Sequence, residues 1–317
     1  MRTAAGQPTF ANSPYRSSWV AEKSLPTPGF AHNGGVSNDY QLVQLRGGAA
    51  TLYSASYGEK MHPGLGPQAE ADLLYVRQLQ LCERLRASGE LTVWDIGLGG
   101  AANAIAVLRA AREIPGCLRL VSFDNTAEPL EFARDHAAEL VYPTGYEAPL
   151  TTLLQERRVR FTLGELQVDW EFHLADFPAL VAGDTPLPAP QAILYDAFSP
   201  AKNPAMWTLP VFTHLFRRLD PNQPCALTTY SRSTLLRTTL LLAGFYVGVG
   251  HATGLKEETT IAANSLALIP EPLNARWLER ADRSDSAEPL TGPVYRRAPL
   301  TTETRTQLRS HPQFAGG

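Results

Sequence analysis

The sequence predicts an α/β fold: a doubly wound, mostly parallel sheet of seven strands, with an N-terminal β-hairpin and a hairpin insertion. Three observations carry that expectation. Short apolar runs bounded by turn residues recur between residues 91 and 269, as buried parallel strands do. Amphipathic segments alternate with them, and strand–helix alternation builds parallel sheets. Three carboxylates, Asp95, Asp124 and Asp196, each stand at the end of such a run, where open α/β sheets bind ligands.

Residues 1–38 are rich in Pro, Gly, Ser and Asn and are expected to form an extended or disordered arm. Residues 39–90 are expected to hold a hairpin and a lid helix. Apolar runs at 40–45 and 50–55 flank Gly47-Gly48, a hairpin pattern. A turn-rich loop covers 57–67. Leu73, Leu74, Val76, Leu79, Leu81, Cys82 and Leu85 then fit one amphipathic helix over 69–88. Residues 91–270 carry the core. Strands are expected at 91–96, 118–123, 192–195, 225–229, 245–249 and 261–269, and helices at 101–113, 129–140, 147–157, 207–219 and 233–243. Residues 159–163 and 166–174 alternate with period two around Gly164-Glu165, a hairpin inserted beside the third core strand. In the polar tail, 271–317, one short helix near 275–281 and otherwise loose structure are expected.

Hydrophobic residues make up 44% of the 317 and charged residues 19%, a globular balance. Cys82, Cys117 and Cys225 lie far apart without a Cys-x-x-Cys pair, which points to a reducing compartment and away from disulfide or metal frameworks. Residues 1–9 lack the apolar stretch of a secretory leader. The most apolar run, 235–249, is broken by Arg237, Thr238, Thr239 and Gly244. A cytoplasmic protein with no membrane partner is expected. The net charge of −3 argues against a generic nucleic-acid face, DNA included, and leaves room for a local basic rim.

Val93-Trp-Asp95-Ile-Gly97-Leu-Gly99-Gly100-Ala-Ala-Asn103 reads as a strand end, a glycine turn and a helix start. Such a turn brings backbone and a helix N-terminus up to a ligand. A dinucleotide site favours G-x-G-x-x-G with a later acid. The pattern here suits a methionine-containing nucleoside, with Asp95 accepting from its ammonium and Gly97 and Gly99 leaving room; a turn with no ligand is the alternative. Asp124, one crossover on, can accept from both ribose hydroxyls or cap a helix. Asp176 can accept from an adenine amine beside Phe177, or cap the short helix that follows. The longest feature is Asp196-Ala-Phe198-Ser-Pro200-Ala-Lys202-Asn203-Pro204-Ala-Met206-Trp207. Its prolines stiffen the segment after the strand. Asp196 can hold an amine nucleophile and receive its proton, and Phe198 can stack on a planar base or a cation. An ordinary loop with a capping Asp is the alternative.

The stretch from Asp196 to Trp207 closely resembles the signature Asp-Gly-Phe-Ala-Pro-Ala-Lys-Asn-Pro-Asp-Met-Trp of the MnmC methyltransferase domain family. The turn 95–103, Glu70, Thr228-Thr-Tyr230-Ser231, Ala243-Gly244-Phe245 and Gly254-Leu-Lys256-Glu257 resemble other parts of that domain, so the resemblance runs from about Tyr53 to Leu268. It implies a Rossmann-like class I methyltransferase that uses S-adenosyl-L-methionine, with no metal and, lacking the family's oxidase domain, no FAD. It also implies tRNA as partner, methylated on the aminomethyl group of a modified wobble uridine. The implied cofactor residues are Tyr53, Glu70, Asp95, Gly97, Gly99, Asn103, Asp124, Asp176 and Asp196. Asp196 and Phe198 would be catalytic, and Phe198, Lys202, Trp207 and Lys256 would contact the substrate. The chain departs from the family at Ala101 and Ala102, where a third glycine is common, and at Gly254-Leu-Lys-Glu-Glu258, which replaces a more basic run. Other readings are a methyl- or aminopropyltransferase of the same fold acting on a small amine, and a silent tRNA-binding scaffold.

Overall fold

The computed structural model describes residues 39–62, 64–253 and 257–314. The N-terminal hairpin forms β1 (Tyr40–Gln44) and β2 (Ala50–Ser54), and β3 (Glu59–Lys60) adds a third antiparallel strand. The single helix expected over 69–88 is instead broken into α1 (Pro67–Ala71), a π-helical stretch (Asp72–Arg77) and α2 (Leu81–Ser88). Gln80, at φ 51°, makes the second break. A π-helical turn is a local widening that often serves a site. Here it carries the buried Tyr75, whose hydroxyl reaches the carbonyl of Tyr195 at 3.5 Å.

The core then runs β4 (Glu90–Ile96), α3 (Ala102–Ala111), β5 (Gly116–Asp124), α4 (Glu128–Asp135), α5 (Ala137–Leu140), α6 (Glu147–Glu156), β6 (Arg158–Leu163), β7 (Leu166–Leu174), α7 (Phe177–Ala182) and β8 (Ala192–Tyr195). It continues with α8 (Leu209–Arg217), β9 (Ala226–Thr229), α9 (Thr234–Leu242), β10 (Tyr246–Gly250), β11 (Thr259–Ala263), α10 (Ala275–Asp282) and α11 (Thr302–Arg309). Successive strand residues serve opposite faces of the sheet: Val93, Leu120 and Leu194 join one apolar cluster, and Trp94, Val121 and Ile193 the other.

Among the described residues this sheet has eight strands, in the order β10-β11-β9-β8-β4-β5-β7-β6, where seven were expected. The difference lies in the hairpin. Its second arm, β7, pairs in parallel with β5 from Gly116↔Leu166 to Asp124↔Leu174, so it is itself the third core strand and no insertion stands beside one. The first arm, β6, closes that edge antiparallel. The helix expected over 129–140 divides at His136, whose φ of −111° and ψ of 31° leave the helical region.

The tail is also more ordered than its polarity suggests. Trp277 and Ala281, four residues apart, put one face of α10 into the core, and Leu290, Leu300 and Leu308 are buried beyond it. Asp282 receives hydrogen bonds from Arg305 at 2.8 Å and Arg309 at 2.6 Å, and Gln313 bonds both the N–H and the carbonyl of Val247. A narrow apolar stripe suffices to dock such a segment, and an average over composition hides it. Among the described residues no helix is long and apolar enough to cross a membrane. Leu308 is 1% exposed, so Leu308→Ala is expected to lower unfolding free energy by about 2–4 kcal/mol in urea titrations. An unchanged midpoint would mean that the tail is loose.

Candidate active site

From β4 the chain winds through β5 and β7 on one side and then returns to lay β8 on the other. Strand order therefore reverses between β4 and β8, and the crevice outside their C-terminal ends is the expected ligand position. A cavity of about 500 Å³ opens there. Its floor is the glycine turn. The N–H groups of Gly97 and Leu98 both donate to the carbonyl of Phe123 at 3.0 Å. Gly97 sits at φ 90°, and a Cβ on it would lie 2.8 Å from the carbonyl oxygen of Asp196, so only glycine fits this approach. Gly99 donates its N–H to Asp124 Oδ2 at 2.9 Å, and Thr126 donates to Oδ1 at 3.3 Å. Asp124 thus ties the turn to the end of β5. Burial lifts its carboxyl above the usual range against the pull of those N–H groups.

Asp196 follows β8 and is 13% exposed. Its Oδ2 accepts from Asn103 Nδ2 at 2.7 Å and lies 3.6 Å from His62 Nε2. Burial acts to raise this carboxyl, but His62, Asn103 and Tyr75 together hold it below the usual carboxylate range. It stands ionised inside the cleft. His62 is raised in turn: burial opposes its charge, and the neighbouring carboxylates of Asp196 and Glu70 prevail. Glu70 accepts from the N–H groups of Gly64 at 2.6 Å and Gly66 at 3.2 Å, which shapes the loop that carries His62. Tyr230 donates to the carbonyl of Ala197 at 3.0 Å. Phe198 stacks on Tyr57, with centroids 4.1 Å apart and an interplanar angle of 17°. Ser199 is held by Glu59, its Oγ donating at 2.5 Å and its N–H at 3.2 Å.

Of the residues singled out in the sequence, Glu70, Gly97, Gly99, Asn103, Asp124, Asp176, Asp196 and Phe198 line the cavity. Four do not. Asp95 is wholly buried beneath the turn, one oxygen taking a hydrogen bond from Ser122 at 3.1 Å. Desolvation, with Asp196 and Asp124 nearby, pushes its carboxyl well above the usual range. It lies off the cavity wall, and its other oxygen is buried with no hydrogen-bond partner among the described residues. Trp207 is a core residue. Its indole N–H donates to the carbonyl of Phe198 at 2.7 Å, and its ring packs edge-on against Tyr195. It positions Phe198 and cannot touch a substrate. Tyr53 and the exposed Lys202 meet beside Gly58, at the rim and outside the lining. Lys256 lies outside the described residues. Asp176 lines the cavity and also caps α7 through Ala179 N–H at 3.2 Å.

His62, Tyr57, Glu59 and Tyr75 went unread. Three come from the loop and short strand at 57–62, where a lone His beside Pro63-Gly64 was the available signal. The lining suits a methionine-containing nucleoside. Gly97 and Gly99 line it, carboxylates stand at Asp124 and Asp176, and Glu70 and Asp196 also face the cavity. Asn103 Oδ1 is buried with no hydrogen-bond partner among the described residues, an acceptor left for an ammonium. Among the described residues no group of three or more His, Cys, Asp or Glu could hold a metal ion.

Residues 146–265 match the sequence family described as S-adenosyl-L-methionine-dependent methyltransferase. The tRNA 5-methylaminomethyl-2-thiouridine biosynthesis bifunctional protein MnmC of Burkholderia multivorans is 30% identical over 208 residues, which are 62% of this chain and 30% of that protein. The chain spans 30% to 35% of the length of the first such relatives it matches. Among solved structures, MNMC2 from Aquifex aeolicus superposes with a TM-score of 0.60 at 22% identity, over 86% of this chain and 83% of that one. A spermidine synthase superposes with 0.51 at 13%, over 88% and 84%. These two likenesses establish the fold. Gly97→Ala is expected to destabilise the chain by about 1–3 kcal/mol in thermal or urea unfolding. Gly292→Ala, where a Cβ meets nothing within 4 Å, serves as the neutral control. Equal stabilities for the two variants would contradict the close approach at the turn.

Proposed function

We propose that this S-adenosyl-L-methionine-dependent methyltransferase, MnmC-like in sequence and fold, methylates the primary amine of an aminomethyl group on the wobble uridine of tRNA. The observation that carries the reading is Asp196: a largely buried carboxylate held below its usual range and facing the cleft, followed by an aromatic ring on a proline-stiffened loop. Asp124 would take the ribose hydroxyls, Asp176 with Phe177 the adenine, and Asn103 with Glu70 the amino-acid end. When bound, the cofactor supplies an electrophilic methyl, so that an N–C bond forms as a C–S bond breaks and its electron pair stays on sulfur.

The chain's own residues then have two tasks, alignment and deprotonation. Holding nucleophile and methyl in line is worth several kcal/mol. A free alkylammonium has a pKa of about 10, and a carboxylate beside it favours the charged form. Asp196 therefore draws the amine in and orients it. Phe198 offers a stacking face, and a planar base would take the place of Tyr57 on it. Lys60 and Lys202, both exposed beside the opening, suit phosphate contacts. The role of the MnmC relatives in tRNA 5-methylaminomethyl-2-thiouridine biosynthesis supports tRNA as the carrier.

Two outcomes follow. Asp196→Asn is expected to slow methyl transfer by ~10³-fold while the affinity for S-adenosyl-L-methionine, read by calorimetry, stays within about threefold. A variant that turns over normally would contradict the assignment. In a strain lacking this protein, nucleoside analysis of tRNA is expected to show the methylaminomethyl nucleoside lost and the aminomethyl form in its place. An unchanged profile would remove tRNA and leave a small amine as the acceptor.

A further inference from the structure

The deprotonation step has no evident base in Asp196. A carboxylate held below its usual range lies far beneath an amine at about 10, and proton transfer works best between groups of matched pKa. We propose that His62 is the proton acceptor for the attacking amine, with Asp196 holding the cation between them. The inference rests on the amine reading given above.

The geometry carries it. His62 is 12% exposed and lines the cavity from the loop between β3 and α1. Its Nε2 is buried and has no hydrogen-bond partner among the described residues. It stands 3.6 Å from Asp196 Oδ2, too far for a direct hydrogen bond. Two acceptors at that separation can both lie about 2.9 Å from one nitrogen, so an ammonium can bridge them. For this, His62 must be the Nδ1–H tautomer, with its lone pair on Nε2. One N–H bond of the ammonium breaks, the proton joins Nε2 and the electron pair stays on the amine nitrogen. The product imidazolium remains beside the Asp196 carboxylate, so positive charge moves a few ångströms within one compensated site.

The groups around the pair fit this role. Asp196 faces His62 from the end of β8, Glu70 from α1 and Asn103 from α3. Tyr75, from the π-helical stretch, faces Asp196, and burial keeps it and Tyr230 neutral. Asp95 lies beneath with its carboxyl raised well above the usual range by desolvation. Asp196 and Glu70 outweigh burial and lift His62 above 6.5. A base must be unprotonated, so activity falls as pH drops through that raised value.

The test is a pH profile of single-turnover methyl transfer by the full chain to tRNA carrying 5-aminomethyl-2-thiouridine, for the native protein, His62→Asn and His62→Gln. The native profile should have an acid limb with its midpoint above 6.5. Both variants should be slower by about 100-fold, lack that limb and bind S-adenosyl-L-methionine within about threefold of native. Variants that keep the limb and the native rate overturn the inference. NMR titration of the His62 ring in the native chain reads the residue without any acceptor. A midpoint above 6.5 that falls in Asp196→Asn is expected, and one below 6.5 overturns the inference. If His62 titrates as expected and the native chain leaves this tRNA unmethylated, the acceptor assignment fails and the His62 pairing stands.

Discussion

A carboxylate kept ionised while nearly out of water is the constraint on which this structure depends. An unpaired buried charge costs several kcal/mol, so Asp196 requires polar partners on several sides. They arrive from separate elements: Asn103 from the first turn of α3, His62 from the loop before α1, and Tyr75 from the π-helical stretch. Each carries a local irregularity. Ala101, before α3, has φ 64°; the lid segment is broken twice; and the His62 loop is shaped by Glu70 bonding Gly64 and Gly66. A regular helix over 69–88 would present a different side chain to the cleft than Tyr75. Strain of this kind concentrates where a site has to be assembled.

The same logic explains the cover. Tyr57 on Phe198, Glu59 on Ser199 and Trp207 on the Phe198 carbonyl fix the loop after β8 from three directions. Two of these partners lie on or beside β3, a two-residue strand whose pairing to Tyr53 and Ser54 holds it in place. The small N-terminal sheet is therefore part of the site. It supplies the ring that shields Phe198 and the carboxylate that holds Ser199.

Much of this was legible in the sequence. Strand ends at Asp124 and Asp196 could be read because short apolar runs followed by turn residues have few other solutions, and the Asp196–Trp207 signature identified the loop. What failed did so for identifiable reasons. In a strand buried on both faces, period-two alternation carries no polarity signal, so nothing said whether Asp95 opens into the cleft or lies beneath it; it lies beneath, bonded to Ser122. A motif also does not separate residues that touch a ligand from those that hold the motif in shape, and Trp207 is of the second kind. His62 depends on a contact between positions 134 residues apart, His62 and Asp196, which no local pattern encodes. The hairpin was read as an insertion because alternation marks a strand without saying which neighbour it pairs with, and the ordered tail was missed because a narrow apolar stripe leaves a weak trace in composition.

Asp196 stays charged in the cleft because His62, Asn103 and Tyr75 hold it so. Carboxyl-carbon NMR of the labelled native chain, titrated downward from neutral pH, reads that charge. Asp196 should remain ionised below pH 3.8, the ordinary carboxylate value, and its midpoint should rise when His62 is replaced by Asn. A midpoint at or above 3.8 in the native chain, as desolvation alone would give, would contradict it.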